Sequence, residues 1–149
     1  MDASRRSVKR LGFAVNVVIV GLACYAGSEI GFAHKIPPHN ISALWPTGAI
    51  LLSVLLVAPM RHWWAYVVAA YLFSVVRDIQ NGFPASALFF IAAGLVEILG
   101  AAFIVRRLVD PLKLFDSLRN VVMYMAVVVI GAPLVSAFIS AGAGGADQF

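Results

Sequence analysis

Residues 85–105 read ASALFFIAAGLVEILGAAFIV, 21 residues with one ionisable side chain, Glu97, and the pair Arg106-Arg107 follows at once. As a helix rising 1.5 Å per residue, such a stretch reaches about 31 Å, the thickness of a bilayer's hydrocarbon core. Four more apolar runs share this character, at 11–33, 43–60, 63–76 and 121–141. Over all 149 residues, 62% are apolar and 12% are charged, with a mean hydropathy of +0.93. Soluble domains carry about 25% charged residues, so this chain is built for lipid. Disorder is excluded by the abundance of large aliphatics. A collagen-like chain is excluded by the lack of a glycine period, and a disulfide scaffold by the solitary Cys24. No strand-like alternation of a membrane barrel is present, and helices are the other way to satisfy every backbone polar group in lipid. The expected fold is all-α: a polytopic transmembrane bundle of about five membrane-spanning helices.

The segments between the runs punctuate them. Residues 34–42 contain Pro37, Pro38 and Asn40, which stop a helix. Pro46 falls in the first turn of the second run, where a missing donor costs nothing. The third run has 14 residues, about 21 Å of helix. It crosses if Arg77 snorkels and Arg61 and His62 sit among headgroups; the alternative is a re-entrant hairpin made of the second and third runs. Trp45, Trp63 and Trp64 stand at run ends, where interfacial aromatics belong.

Orientation follows from the cations. With the N-terminus inside, the inner segments hold Arg5, Arg6, Lys9, Arg10, Arg61, Arg106, Arg107, Lys113 and Arg119, and the outer ones only Lys35 and Arg77. That asymmetry places the N-terminus in the cytoplasm. It also accounts for the net charge of +4 without a nucleic-acid partner. Residues 1–10 are a basic cytoplasmic anchor, 11–141 the membrane domain, and 142–149 a Gly/Ala-rich tail. Ser4-Arg5-Arg6-Ser7-Val8-Lys9 partly resembles a twin-arginine export signal. The long apolar stretch behind it, with no obvious small-residue cleavage site, makes the first run a signal anchor instead.

Polar residues inside apolar runs are the candidate functional groups. Glu97 lies near the centre of its run, where a carboxylate costs on the order of 3 kcal/mol on the lenient insertion scale. At helical spacing it shares a face with Ala87, Phe90, Gly94 and Ala101, a stripe of mostly small residues that lets a neighbouring helix approach. Two readings stand side by side. Glu97 is a ligand- or proton-sensing carboxyl or the partner of a cation on another helix, or its protonated form only fixes packing. Asn16 lines up with Val20, Ala23, Gly27 and Gly31, and Gly27-x-x-x-Gly31 is a close-contact spacing. Ala132, Ser136 and Ser140 form a similar contact face, and Pro133 is expected to kink that helix or free the carbonyl of Val129. His34 and His39 lie five apart with too few further ligands for a metal site. No nucleophile–base set, paired carboxylates or phosphate loop is present, so neither catalysis nor a cofactor is expected.

The order of these features resembles the MASE1 family of bacterial membrane-associated sensor domains. The resemblance rests on Ser42-Ala43-Leu44-Trp45-Pro46-Thr47-Gly48, Arg61-His62-Trp63-Trp64, Asn81-Gly82-Phe83-Pro84, Leu95-Val96-Glu97-Ile98-Leu99-Gly100, and Ala132-Pro133-Leu134-Val135-Ser136. It covers residues 11–141 and corresponds to an N-terminal portion of such a domain. It implies a multi-pass input domain of the bacterial cytoplasmic (inner) membrane, non-catalytic in itself. Such a domain acts through a cytoplasmic output: a histidine kinase, or a diguanylate cyclase or phosphodiesterase of cyclic-di-GMP. That output lies in a longer chain or a partner, with a homodimer or a membrane partner protein as the assembly. On this reading Glu97, Trp45, Asn40, His39 and Asn16 are the candidate sensing residues, and Gly27, Gly31, Gly94 and Ser136 the packing residues. The alternative from a different class is a membrane component of a small-solute transporter that uses Glu97.

Overall fold

A computed structural model describes residues 2–36, 41–42, 46–80 and 87–144. The described residues are helical apart from turns and one two-residue bridge. Helix α1 spans Asp2–Ala33, α2 Pro46–Val57, α3 Trp63–Gln80, α4 Ala87–Leu108, α5 Leu118–Met125 and α6 Ala132–Gly144. A π-helical segment, Ala126–Gly131, joins α5 to α6. The bridge pairs β1 (Lys35–Ile36) with β2 (Ile41–Ser42) antiparallel, Lys35 opposite Ser42 and Ile36 opposite Ile41.

Each helix follows from its apolar run, and the differences have local causes. The second run extends to Met60, yet α2 ends at Val57. Pro59 disfavours helical geometry at Ala58, and the chain turns through a 3-10 segment, Met60–His62. The third run continues as helix through the polar residues to Gln80, giving 18 residues, about 27 Å. After α4, the Asp110 carboxylate accepts from the Leu112 amide at 3.1 Å, and Asn120 Nδ2 donates to the Lys113 carbonyl at 3.0 Å. Ser117 caps α5 by accepting from the Asn120 amide at 3.4 Å.

The chain divides into two compact units. Unit 1 comprises Met1–Val54 and Ala58–Gly82, and in it α1 packs along α3. Its core includes Cys24, Leu51, Trp63, Tyr66, Ala69 and Ala70. The helices come close because Gly21 lacks a side chain: a Cβ there would stand 2.6 Å from the Phe73 ring. Phe13 rests against His62 and Tyr66, with ring centroids 4.5 and 5.9 Å away. Trp63 Nε1 donates to the Ala58 carbonyl at 3.2 Å, so the indole of this buried residue keeps its polar atom paired.

Unit 2 comprises Leu55–Val57 and Phe83–Phe149, with α4 packed on α6 and on the π segment. Ala93, Ala101, Ala102, Val105, Val109 and Leu114 are buried. Arg106 donates from a terminal guanidinium nitrogen to the Leu55 carbonyl at 3.1 Å, satisfying an acceptor in the last turn of α2. Arg107 lies over the Phe103 ring at 4.9 Å.

Among the described residues, two helices are long and apolar enough to cross a membrane, 11–33 and 118–139. In the most apolar window of the first, 22% of residues are buried, and in the second none are. Large apolar side chains face outward on both, with Leu22 at 53% and Phe138 at 78% exposure. Apolar surface of this extent needs a lipid or protein covering.

Candidate functional site

Unit 2 contains a cleft. One wall is the α4 face carrying Val96, Glu97, Gly100, Ala101 and Ile104. The other carries Ala126, Val127 and Gly131 of the π segment, with Ala132 and Val135 of α6. The cleft between them has a volume of about 370 Å³. Glu97 supplies its one ionisable side chain; every other lining residue is Ala, Gly, Val or Ile. The carboxyl is half-buried and has no hydrogen bond or ion pair among the described residues. Glu97 is ten residues from the first residue of α4 and eleven from the last, about 15 Å from either end.

Two local features hold the cleft open. Gly100 contributes no side chain, and a Cβ built there would have no neighbour within 4 Å. Its missing atoms are cleft volume. The second feature is Pro133. A proline has no N–H and its ring crowds the carbonyl four residues back, here Val129. The chain responds by widening its turns: the Ala132 amide bonds to the Val127 carbonyl, five residues back, in place of the α-helical partner. Pro133 has no proton to offer Val129 or Val128, the carbonyls four and five positions before it. Gly131 fits the widened turn closely, since a Cβ on it would come within 3.3 Å of the Ala126 carbonyl oxygen. The expected effect of Pro133 on its helix thus takes the form of a π segment.

Glu97 and Ala101 both line the cleft, whereas Gly94, expected on the same stripe, is half-buried outside the lining set. Ser136 is half-buried on α6 and also outside it. The remaining described candidates belong to unit 1. Asn16 is exposed on α1. Gly27 and Gly31 are buried, and Gly27 is pressed against α2: a Cβ there would lie 3.0 Å from the Thr47 amide nitrogen and 3.1 Å from its Oγ1. Trp45, Asn40 and His39 lie outside the described residues, as does Asn81-Gly82-Phe83-Pro84. Among the described residues no group of three His, Cys, Asp or Glu side chains converges on a metal position.

Unit 1 also contains a polar knot that the sequence reading does not anticipate. Ser28 Oγ and Thr47 Oγ1 each stand within donating reach of the Cys24 carbonyl, at 3.1 and 3.0 Å, and 3.2 Å from one another. Two hydroxyl protons serve three edges, so the knot resolves into alternating pairs. It joins α1 to the first turn of α2. The one available signal was Ser28, a polar residue inside an apolar run beside Gly27.

No family model matches the chain, and no curated protein or solved structure matches it.

Proposed function

We propose that this chain is an integral membrane sensory input module, of the MASE1 kind, in which Glu97 reads a ligand or a membrane partner. The observation that carries the reading is an ionisable side chain halfway along an apolar helix, lining a cleft whose far wall is a π-helical segment. A carboxyl at such a depth is costly and marks a functional position. A π segment is a local two-register element, and such bulges concentrate at functional sites. A ligand that fits one register better than the other shifts their populations by its difference in affinity, and the shift is carried to the cytoplasmic end of α4.

The proposed topology has five crossings with the N-terminus in the cytoplasm of a bacterial inner membrane. Several lengths support it: about 35 Å for residues 11–33, about 33 Å for 118–139 and about 33 Å for the 22 residues of α4. Helix α2 alone covers only about 18 Å. Ala58, Pro59 and Met60 extend the apolar run beyond it. The exposed Arg61 and Trp64 at the turn into α3 suit a headgroup position. The output is a cytoplasmic kinase or cyclic-di-GMP enzyme, in the same chain or a partner, and the module works as a homodimer.

The test fuses the chain to a diguanylate cyclase domain and follows cyclic-di-GMP in cells. Glu97→Gln, which keeps the shape and removes the charge, is expected to lock output at one level while membrane insertion is unchanged. Output that varies with growth conditions as in the native fusion removes the sensing role. Glu97 in a cleft also suits a transporter, and transport of a solute by liposomes containing the chain alone favours that reading.

A further inference from the structure

We infer that the Glu97 cleft takes a small organic cation, an ammonium group on a compact apolar body. This rests on the sensory reading of the cleft and adds the chemical class of what it binds. Among the lining residues no side chain carries a donor once Glu97 is ionised. The facing helix adds no side-chain donor either, its lining residues being Ala126, Val127, Gly131, Ala132 and Val135. The small lining residues Gly131 and Ala132 keep side-chain bulk off that stretch of the wall. A site made of one carboxylate and otherwise apolar surface selects a ligand that donates and carries positive charge, because the carboxylate has no partner of its own among the described residues.

Size sets the rest. A cavity of about 150 Å³ holds a benzene ring, so the cleft's volume of about 370 Å³ suits roughly ten to fifteen heavy atoms. Depth decides the source. With Glu97 about 15 Å from either end of α4, an ammonium on a phospholipid headgroup does not reach it, and a free amine does.

The test uses the full chain in phosphatidylcholine nanodiscs with methyl-labelled alanine, following the signals of Ala101, Ala126 and Ala132. The probes are n-hexylammonium and 1-hexanol, matched in length and differing in charge. Hexylammonium is expected to shift these methyls saturably, and to bind tighter than hexanol by at least about tenfold, the contribution of one charge-assisted hydrogen bond. Glu97→Gln should erase that preference and leave hexanol binding as it was. Gly100→Leu, which fills space that is empty in the native chain, should abolish the shifts from both probes. Equal affinity for the two probes overturns the inference, as does saturable binding of neither, or a preference that survives Glu97→Gln. Weaker hexylammonium binding when half the lipid is phosphatidylethanolamine overturns the assignment to a free amine. The assay reads binding without any output domain. A failed cyclase fusion with intact cation selectivity therefore counts against sensing and not against the ligand class.

Discussion

Gly27 in unit 1 and Gly100 in unit 2 are the same residue in contrasting surroundings. At Gly27 the space of a side chain is already occupied by the Thr47 backbone and hydroxyl, whereas at Gly100 it is empty. The first glycine brings α1 and α2 together; the second leaves room beside Glu97. Their neighbours follow suit. In unit 1 the Ser28 and Thr47 hydroxyls are paired in the knot on the Cys24 carbonyl. In unit 2, the Glu97 carboxyl has no partner among the described residues and the helix facing it departs from α geometry. One region is closed by its own contacts, and the other leaves a cleft beside its carboxyl.

Two substitutions sharpen that contrast. The larger effect is expected from Gly27→Leu. Its side chain would collide with backbone, which cannot rotate away, and overpacking of this kind costs about 3 kcal/mol. Unfolding of the purified variant in detergent should show that loss, and a variant as stable as the native chain contradicts the close contact of α1 with α2. The smaller effect is expected from Gly100→Ala. It adds a methyl to empty space and reduces the backbone entropy lost in a helix, so stability should rise by about 0.5–1 kcal/mol. A loss of stability there means that something already fills the cleft wall.

Much of the architecture is legible in the sequence because it depends on local composition. The five apolar runs appear as helices with ends set by Pro59, Ser117 and the polar stretches between them. Glu97 stands out for the same reason: an ionisable group in an apolar run is visible without knowing its neighbours. The Gly27-x-x-x-Gly31 spacing announces a close approach, although it cannot name Thr47 as the group that approaches. Pro133 signals a disturbed helix, but the choice between a kink and a π segment depends on which carbonyls tertiary packing leaves free. Gly100 was missed. A glycine that packs and a glycine that leaves a void look identical in a sequence, and only the facing helix separates them.

The proposed threading of the chain through a bilayer can be tested directly. Single cysteines introduced as Arg10→Cys, Lys35→Cys and Arg61→Cys in a Cys24→Ala background can be probed with a membrane-impermeant maleimide on intact spheroplasts and after lysis. The proposed topology predicts that Lys35→Cys reacts from outside while Arg10→Cys and Arg61→Cys react only after lysis. Labelling of Lys35→Cys and Arg10→Cys from the same side contradicts it.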